Sequence, residues 1–215
     1  MHRLPALTFP VATALCRSLA CLSAGLALTG AGRAATVDLQ VSDSAGKPLA
    51  GAAVFLESRE ARAASRPAAG VEIVQQNRQF QPAVTVVPVG TAVGFPNRDT
   101  VRHHVYSFSP VKKFEIKLYV GTPTAPVVFD APGIAVLGCN IHDTMAAWMV
   151  VVETPHHGLT GADGKLSLAT VPAGAYRLRA WHPGMPPGAA AHDQPLLVPA
   201  TGSLAASVKL AGVAL

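Results

Sequence analysis

Gly138-Cys139-Asn140-Ile141-His142-Asp143-Thr144-Met145 places a thiol, an imidazole and a thioether at the spacing Cys-x-x-His-x-x-Met. The apolar run Ile134-Ala-Val-Leu137 leads into it, and Trp148-Met-Val-Val-Val152 leads out. Both runs are short and rich in β-branched or aromatic residues, so they read as strands joined by one loop. That loop offers three metal donors of graded softness. Thiolate and thioether favour a reduced transition-metal ion, and imidazole suits both oxidation states. A second imidazole would complete a trigonal set of two His and one Cys with a weak axial Met, the donor set of a copper centre that passes single electrons.

The chain supplies that imidazole about 36 residues upstream, where Phe95-Pro-Asn97-Arg98-Asp99-Thr-Val-Arg-His103-His104-Val105 reads as a turn that delivers histidine to the start of a strand. Adjacent histidines on a strand point to opposite faces, so only one of His103 and His104 faces the loop. Met149 is a further thioether, but it falls inside the strand after the loop and reads as core.

Working outward, β-like runs recur at Val71-Glu-Ile-Val-Gln75, Ala83-Val-Thr-Val-Val87, Thr91-Ala-Val-Gly-Phe95, His104-Val-Tyr-Ser-Phe108, Phe114-Glu-Ile-Lys-Leu118 and Ala125-Pro-Val-Val-Phe129. With the two strands around the loop they make about eight, punctuated by Gly, Pro and Asn, which predicts a Greek-key sandwich over 71–152. Residues 36–56 hold two more strands around Asp43-Ser-Ala-Gly46, and 57–70 loses periodicity and reads as a linker or long surface loop. After Glu153, strands are expected near 166–168, 176–181 and 205–210. His156-His157, His182 and His192 read as surface residues of connections, and Lys112-Lys113 as a solvated hairpin edge able to help dock an acidic partner.

Met1 to about Ala34 reads as a targeting segment: Arg3, then a long apolar run to Leu28, then small residues ending at Gly32 and Ala34. Its removal takes Arg3, Arg17 and Arg33 and so lowers the formal charge from +5 to +2, which gives no reason to expect a nucleic-acid partner. Cys16 and Cys21 leave too, and Cys139 then stands alone in an exported chain, where thiols normally pair. The expected location is the periplasm or another exported compartment, without stable membrane insertion after cleavage.

Two resemblances attach to these residues. Asn97-x-Asp99-x-x-x-His103-His104-Val105 followed by Gly138-Cys139-x-x-His142-x-x-Met145 resembles the cupredoxins, most nearly plastocyanin, amicyanin and "methylamine utilization"-type relatives. The resemblance implies one type 1 (blue) copper ion held by His103, Cys139, His142 and Met145. It implies supporting roles for His104 and Asn140, with His104 in the place where such proteins usually carry an Asn that bonds to the cysteine loop. It further implies an exposed apolar rim of Ile141, Thr144 and Ala146 around His142, through which electrons pass; Thr144 departs from an aromatic residue usual there.

The outer segments resemble the carboxypeptidase-regulatory or transthyretin-like β-sandwich. Gly46-Lys-Pro-Leu-Ala-Gly-Ala-Ala-Val54 stands before the copper-like segment, and Thr160-Gly-Ala-Asp163-Gly164 and Pro172-Ala-Gly174-Ala-Tyr176 stand after it. The expected architecture is thus all-β: a cupredoxin sandwich at 71–152 inserted into, or flanked by, a small sandwich split into 36–66 and 153–215.

The expected function is one-electron transfer between periplasmic redox proteins, and not enzymatic turnover, since four protein donors leave no open position for a substrate. Asn140, where multicopper oxidases and nitrite reductases would have His, and the absence of His-x-His pairs argue the same way. The alternative is a copper-handling or copper-sensing module built on the same donors.

Overall fold

The computed structural model describes His2 and residues 34–214. Nearly all of the expected targeting segment therefore lies outside the described residues. Ala34, the last residue of that segment, pairs with Pro172.

The first segment forms β1 (Ala34–Asp43), β2 (Ala53–Glu57) and α1 (Arg59–Ala64). The middle one forms β3 (Val71–Glu72), β4 (Val74–Gln76), β5 (Gln79–Gln81), β6 (Val84–Pro88), β7 (Thr91–Gly94), β8 (His103–Ser109), β9 (Lys112–Tyr119), β10 (Val127–Phe129), β11 (Gly133–Gly138) and β12 (Ala146–Val152). The last forms β13 (His157–Leu159), β14 (Lys165–Pro172), β15 (Gly174–Trp181), β16 (His192–Val198) and β17 (Ser203–Leu210). The fold is all-β, with α1 as the single helix among the described residues.

Five sheets result: β14-β1-β17, β13-β2-β15-β16, β6-β12-β11-β8-β9, β10-β7-β3 and the hairpin β4-β5. In the first two, strands from both ends of the chain meet; the other three draw only on 71–152. The parallel pairing of β1 with β17 runs from Thr36↔Ser203 to Asp43↔Leu210 and ties the ends of the described chain together.

Side-chain alternation explains the stacking of these sheets. Along β1, Val37, Leu39 and Val41 are buried and point one way, into a core that also takes Val54, Leu56 and Leu178. A second core gathers Ile73, Phe95, Val105, Phe129, Leu137 and Met149. The third lies between them and joins Ala53, Phe55 and Trp181 to Val84, Val150 and Val152. β2 and β12 each send alternate residues to two different cores, which is why Ala52–Leu56 and Met149–Val152 read as continuous apolar runs instead of alternating ones.

Several expectations need correction. The 57–70 stretch is not wholly irregular: Ser58 caps α1 by accepting from the Ala61 N–H, and Ala61 is buried. The run expected at 71–75 breaks at Ile73 into β3 and β4, and β5 returns against β4 around Asn77 and Arg78, both with positive φ. His157 begins β13 and His192 begins β16 instead of lying in connections. Asp163-Gly164 turns the chain into β14, with Gly164 at φ 72° and a built Cβ only 2.5 Å from the Val41 carbonyl oxygen, so glycine is required there.

His182 is buried, not a surface loop residue. Its Nδ1 accepts from the Gly184 N–H at 3.0 Å and its Nε2 lies 3.1 Å from the Ala50 carbonyl oxygen, a pairing that fits the neutral ring protonated at Nε2. Burial lowers its pKa below the ordinary 6.5, against the opposing effect of the Ala50 carbonyl. The unfolded chain therefore takes up this proton before the folded one as pH falls, and stability present above pH 6.5 is lost below it. Urea denaturation at pH 7 and pH 5 is expected to show lower stability at pH 5, with a smaller difference in His182→Gln.

Candidate metal centre

β11 and β12 are antiparallel neighbours closed by the pair Gly138↔Ala146, so residues 139–145 form a tight loop at their end. Cys139 follows β11 directly and Met145 precedes β12 directly. Inside the loop the Met145 N–H donates to the His142 carbonyl at 2.9 Å. β8 lies beside β11, with Tyr106 opposite Gly138, and this brings its first residue, His103, to the loop.

The outcome is a cluster of His103, Cys139 and His142 whose donor atoms lie within 4.8 Å of one another. His103 Nδ1 is 3.9 Å from Cys139 Sγ, and the His103 and His142 rings have centroids 4.9 Å apart. An ion bonded to nitrogen at about 2.1 Å and to thiolate sulfur at about 2.3 Å holds such atoms at most about 4.4 Å apart, so the nitrogen–sulfur gap matches a shared ion. His142 Nδ1 is buried without a hydrogen-bond partner. An orphaned ring nitrogen beside a thiol and a second imidazole is the expected state of a ligand atom. Met145 is buried in the same core as Cys139.

The His103 imidazole is oriented by a carboxylate. Asp99 Oδ2 lies 2.7 Å from His103 Nε2, which places the ring proton on Nε2 and leaves the Nδ1 lone pair facing the thiol. Asp99 is itself fixed by the backbone N–H groups of Asn77 (2.7 Å) and Arg78 (2.9 Å) at the tip of the β4-β5 hairpin. Burial pushes the Asp99 carboxyl up, but the hydrogen bonds from Arg78, His103 and Asn77 outweigh it and hold the group below its ordinary range. Asn97 holds the turn: its Nδ2 donates to the carbonyls of Val101 (2.9 Å) and Tyr119 (2.8 Å), and its Oδ1 accepts from the Asp99 N–H. Tyr119 donates to the Phe95 carbonyl at 2.6 Å. Burial, opposed by a hydrogen bond from Gln75 and aided by the nearby Cys139, pushes the Tyr119 hydroxyl up to about 12, so it remains a donor.

His104 is buried on the other side of β8, and neither ring nitrogen has an aligned hydrogen bond. Its Nε2 comes within 3.1 Å of Glu115 Oε1 on β9, so it does not tie down the cysteine loop. The physical reason is strand parity, which aims His103 and His104 at opposite faces. Asn140 is exposed, and its side chain makes no hydrogen bond among the described residues. The residue that supports the ligand ring is Asp99, and its signal in the sequence is a carboxylate four residues before a histidine in a turn. Ile141, Thr144 and Ala146 are exposed around the half-buried His142. Lys112 is paired with Asp130 at 3.0 Å.

No protein-family model and no curated protein matches the chain. Among solved structures, a purple cupredoxin from Nitrosopumilus maritimus is 20% identical, with 38% of this chain and 99% of that one covered at TM-score 0.35. An amicyanin from Paracoccus versutus is 16% identical, with 46% and 97% covered at TM-score 0.34. A copper-containing nitrite reductase from Thermus scotoductus is 22% identical, with 53% of this chain but 28% of that one covered at TM-score 0.36. Similarities of this size carry no weight for the metal centre, whose reading stands on its donor atoms. No described helix is long and apolar enough to cross a membrane.

Gly138 is where the loop leaves its strand, and a Cβ built there lies 2.7 Å from the Tyr106 ring. Gly138→Ala is expected to destabilise the metal-free protein by about 1–3 kcal/mol, as overpacking does. Urea denaturation of the double variant with Tyr106→Leu checks the cause, since the smaller side chain should return most of the loss.

Proposed function

We propose that the protein is an exported type 1 copper protein that carries single electrons between periplasmic redox partners and catalyses no reaction of its own. The observation that carries this reading is the buried convergence of His103 Nδ1, Cys139 Sγ and His142, with His142 Nδ1 left without any other partner. His103, Cys139 and His142 would hold the ion, and Met145, at the end of the same loop, would be the weak axial donor. Bound copper would supply a one-electron couple. The thioether in the set favours copper over zinc, which takes nitrogen, thiolate and carboxylate donors.

The protein's own part is rigidity. Three of the four residues lie in a loop only seven residues long between paired strands, and Asp99 fixes the ring of the fourth, so the donors would need little rearrangement between oxidation states. Four protein donors leave no place for substrate, which supports a carrier. His142 is half-buried with exposed Ile141 and Thr144 beside it, the one donor that approaches a partner surface. In this reading 71–152 is a copper domain inserted into a sandwich split between the two ends of the chain.

Three experiments test the proposal. Cu(II) added to the folded protein is expected to give an intense blue thiolate-to-copper band at one ion per chain, absent in Cys139→Ala; no band with a reduced, folded protein would end the copper reading. Asp99→Asn should keep the band but weaken copper binding about 10–100-fold, the usual cost of losing a ligand's orienting partner. Separately, Ile141→Lys is expected to slow electron self-exchange while leaving the band unchanged; an unaltered rate would remove this face as the electron port.

A further inference from the structure

A cleft of about 870 Å³ opens where the two stacked sandwiches diverge, away from the metal centre's donors. Its floor is the outer face of β11 and β12, where Ile134, Val136, Trp148 and Val150 line it. Val136 and Trp148 are cross-strand partners, and Val136 is 47% exposed. Phe55 on β2 and Trp181 on β15 form the facing wall, and the proline-rich loop at 183–191 forms the rim. The chain's two tryptophans thus line one cleft.

The charged lining carries an excess of cations. Arg62, Arg177 and Arg179 enter it against two carboxylates, Glu57 and Glu153. Arg62 pairs with Glu153 at 2.8 Å and Arg179 with Glu57 at 3.4 Å, and Arg177 with Asp193 outside the lining. Arg179 also lies over the Phe55 ring at 5.4 Å, and its buried Nε has no hydrogen bond, Asp193 being 3.9 Å away. A buried guanidinium N–H without an acceptor is costly. It is the feature of this cleft that calls for a partner.

We infer that the cleft between the sandwiches binds a small organic anion with an apolar body, its single anionic head taken by Arg179 and its neighbouring arginines. The size and apolar lining suit a small molecule bound at a junction between two packed sandwiches. A bare inorganic anion would leave the tryptophan-lined floor wet, and a neutral apolar molecule would leave the Arg179 Nε–H unpaired and desolvate the cations. The site uses none of the four donor residues, so it stands whether or not the copper reading does.

The test uses 8-anilinonaphthalene-1-sulfonate as probe and its uncharged relative N-phenyl-1-naphthylamine as control, with the folded full chain. The sulfonate probe is expected to bind one per chain, with blue-shifted emission and quenching of Trp148 and Trp181. Arg179→Gln should weaken it by about tenfold or more, as loss of a charge-assisted hydrogen bond does, while changing the neutral control less than about twofold. Arg177→Gln, at a more exposed position, should weaken the sulfonate less but in the same direction. Ala190→Trp, which fills the cleft from its rim, should abolish binding of both probes. Near-ultraviolet circular dichroism confirms that each variant is folded. Displacement by laurate as well as by naphthalene-1-sulfonate supports an anion with either a chain or a flat body, and displacement by the latter alone supports a flat one. Absence of sulfonate binding, equal loss of both probes in Arg179→Gln, or full binding in Ala190→Trp would overturn the inference.

Discussion

The register of β12 against β11 is the constraint on which the rest of this structure depends. Ala135↔Met149 and Gly133↔Val151 turn one set of side chains toward the core beneath the metal centre, while Ile134↔Val150 and Val136↔Trp148 turn the other set toward the second sandwich. A slip by one residue would exchange the two faces and move the loop closure away from Gly138↔Ala146. The same pairing therefore sets the spacing of Cys139 and Met145, buries Met149 and leaves Trp148 on the floor of the cleft.

Two-sided burial of that sheet ties together parts of the chain that are remote in sequence. Phe55 and Trp181, contributed from opposite ends of the described residues, cover Val150 and Val152, and the parallel pairing of β1 with β17 holds those ends in place. The donor loop rests on a sheet that cannot flex freely on either face. Close packing of this kind resists deformation, and a donor set held this way would change little on taking up a metal ion.

At the centre itself, orientation comes from a relay of short contacts. Asn97 fixes the turn, the hairpin tip at Asn77 and Arg78 fixes Asp99, and Asp99 fixes the His103 ring. Two segments distant in sequence, the turn at 97–99 and the hairpin tip at 77–78, thus converge on one imidazole. His104, one residue away, takes no part, because strand parity sends it to Glu115 on the far side.

The sequence by itself determined the all-β class, the loop Cys139-x-x-His142-x-x-Met145 with its strands, and the choice of a histidine at 103 or 104 as the distant donor. These follow from local rules: alternation, turn residues and the chemical types of donors spaced along one loop. Local rules were silent or misleading elsewhere. The short helix α1 is held by a single serine cap and one buried alanine, His182 is buried by Ala50 and Gly184 meeting across the fold, and Asp99 gains its role from a hairpin whose strands are three residues each. The cleft is likewise invisible in one dimension, since its walls come from residues near 55, 136, 148 and 180. Which donor types are present is a property of the chain; which atoms face one another, and which arginine is left without an acceptor, is decided only when separate strands are packed and water is excluded from between them.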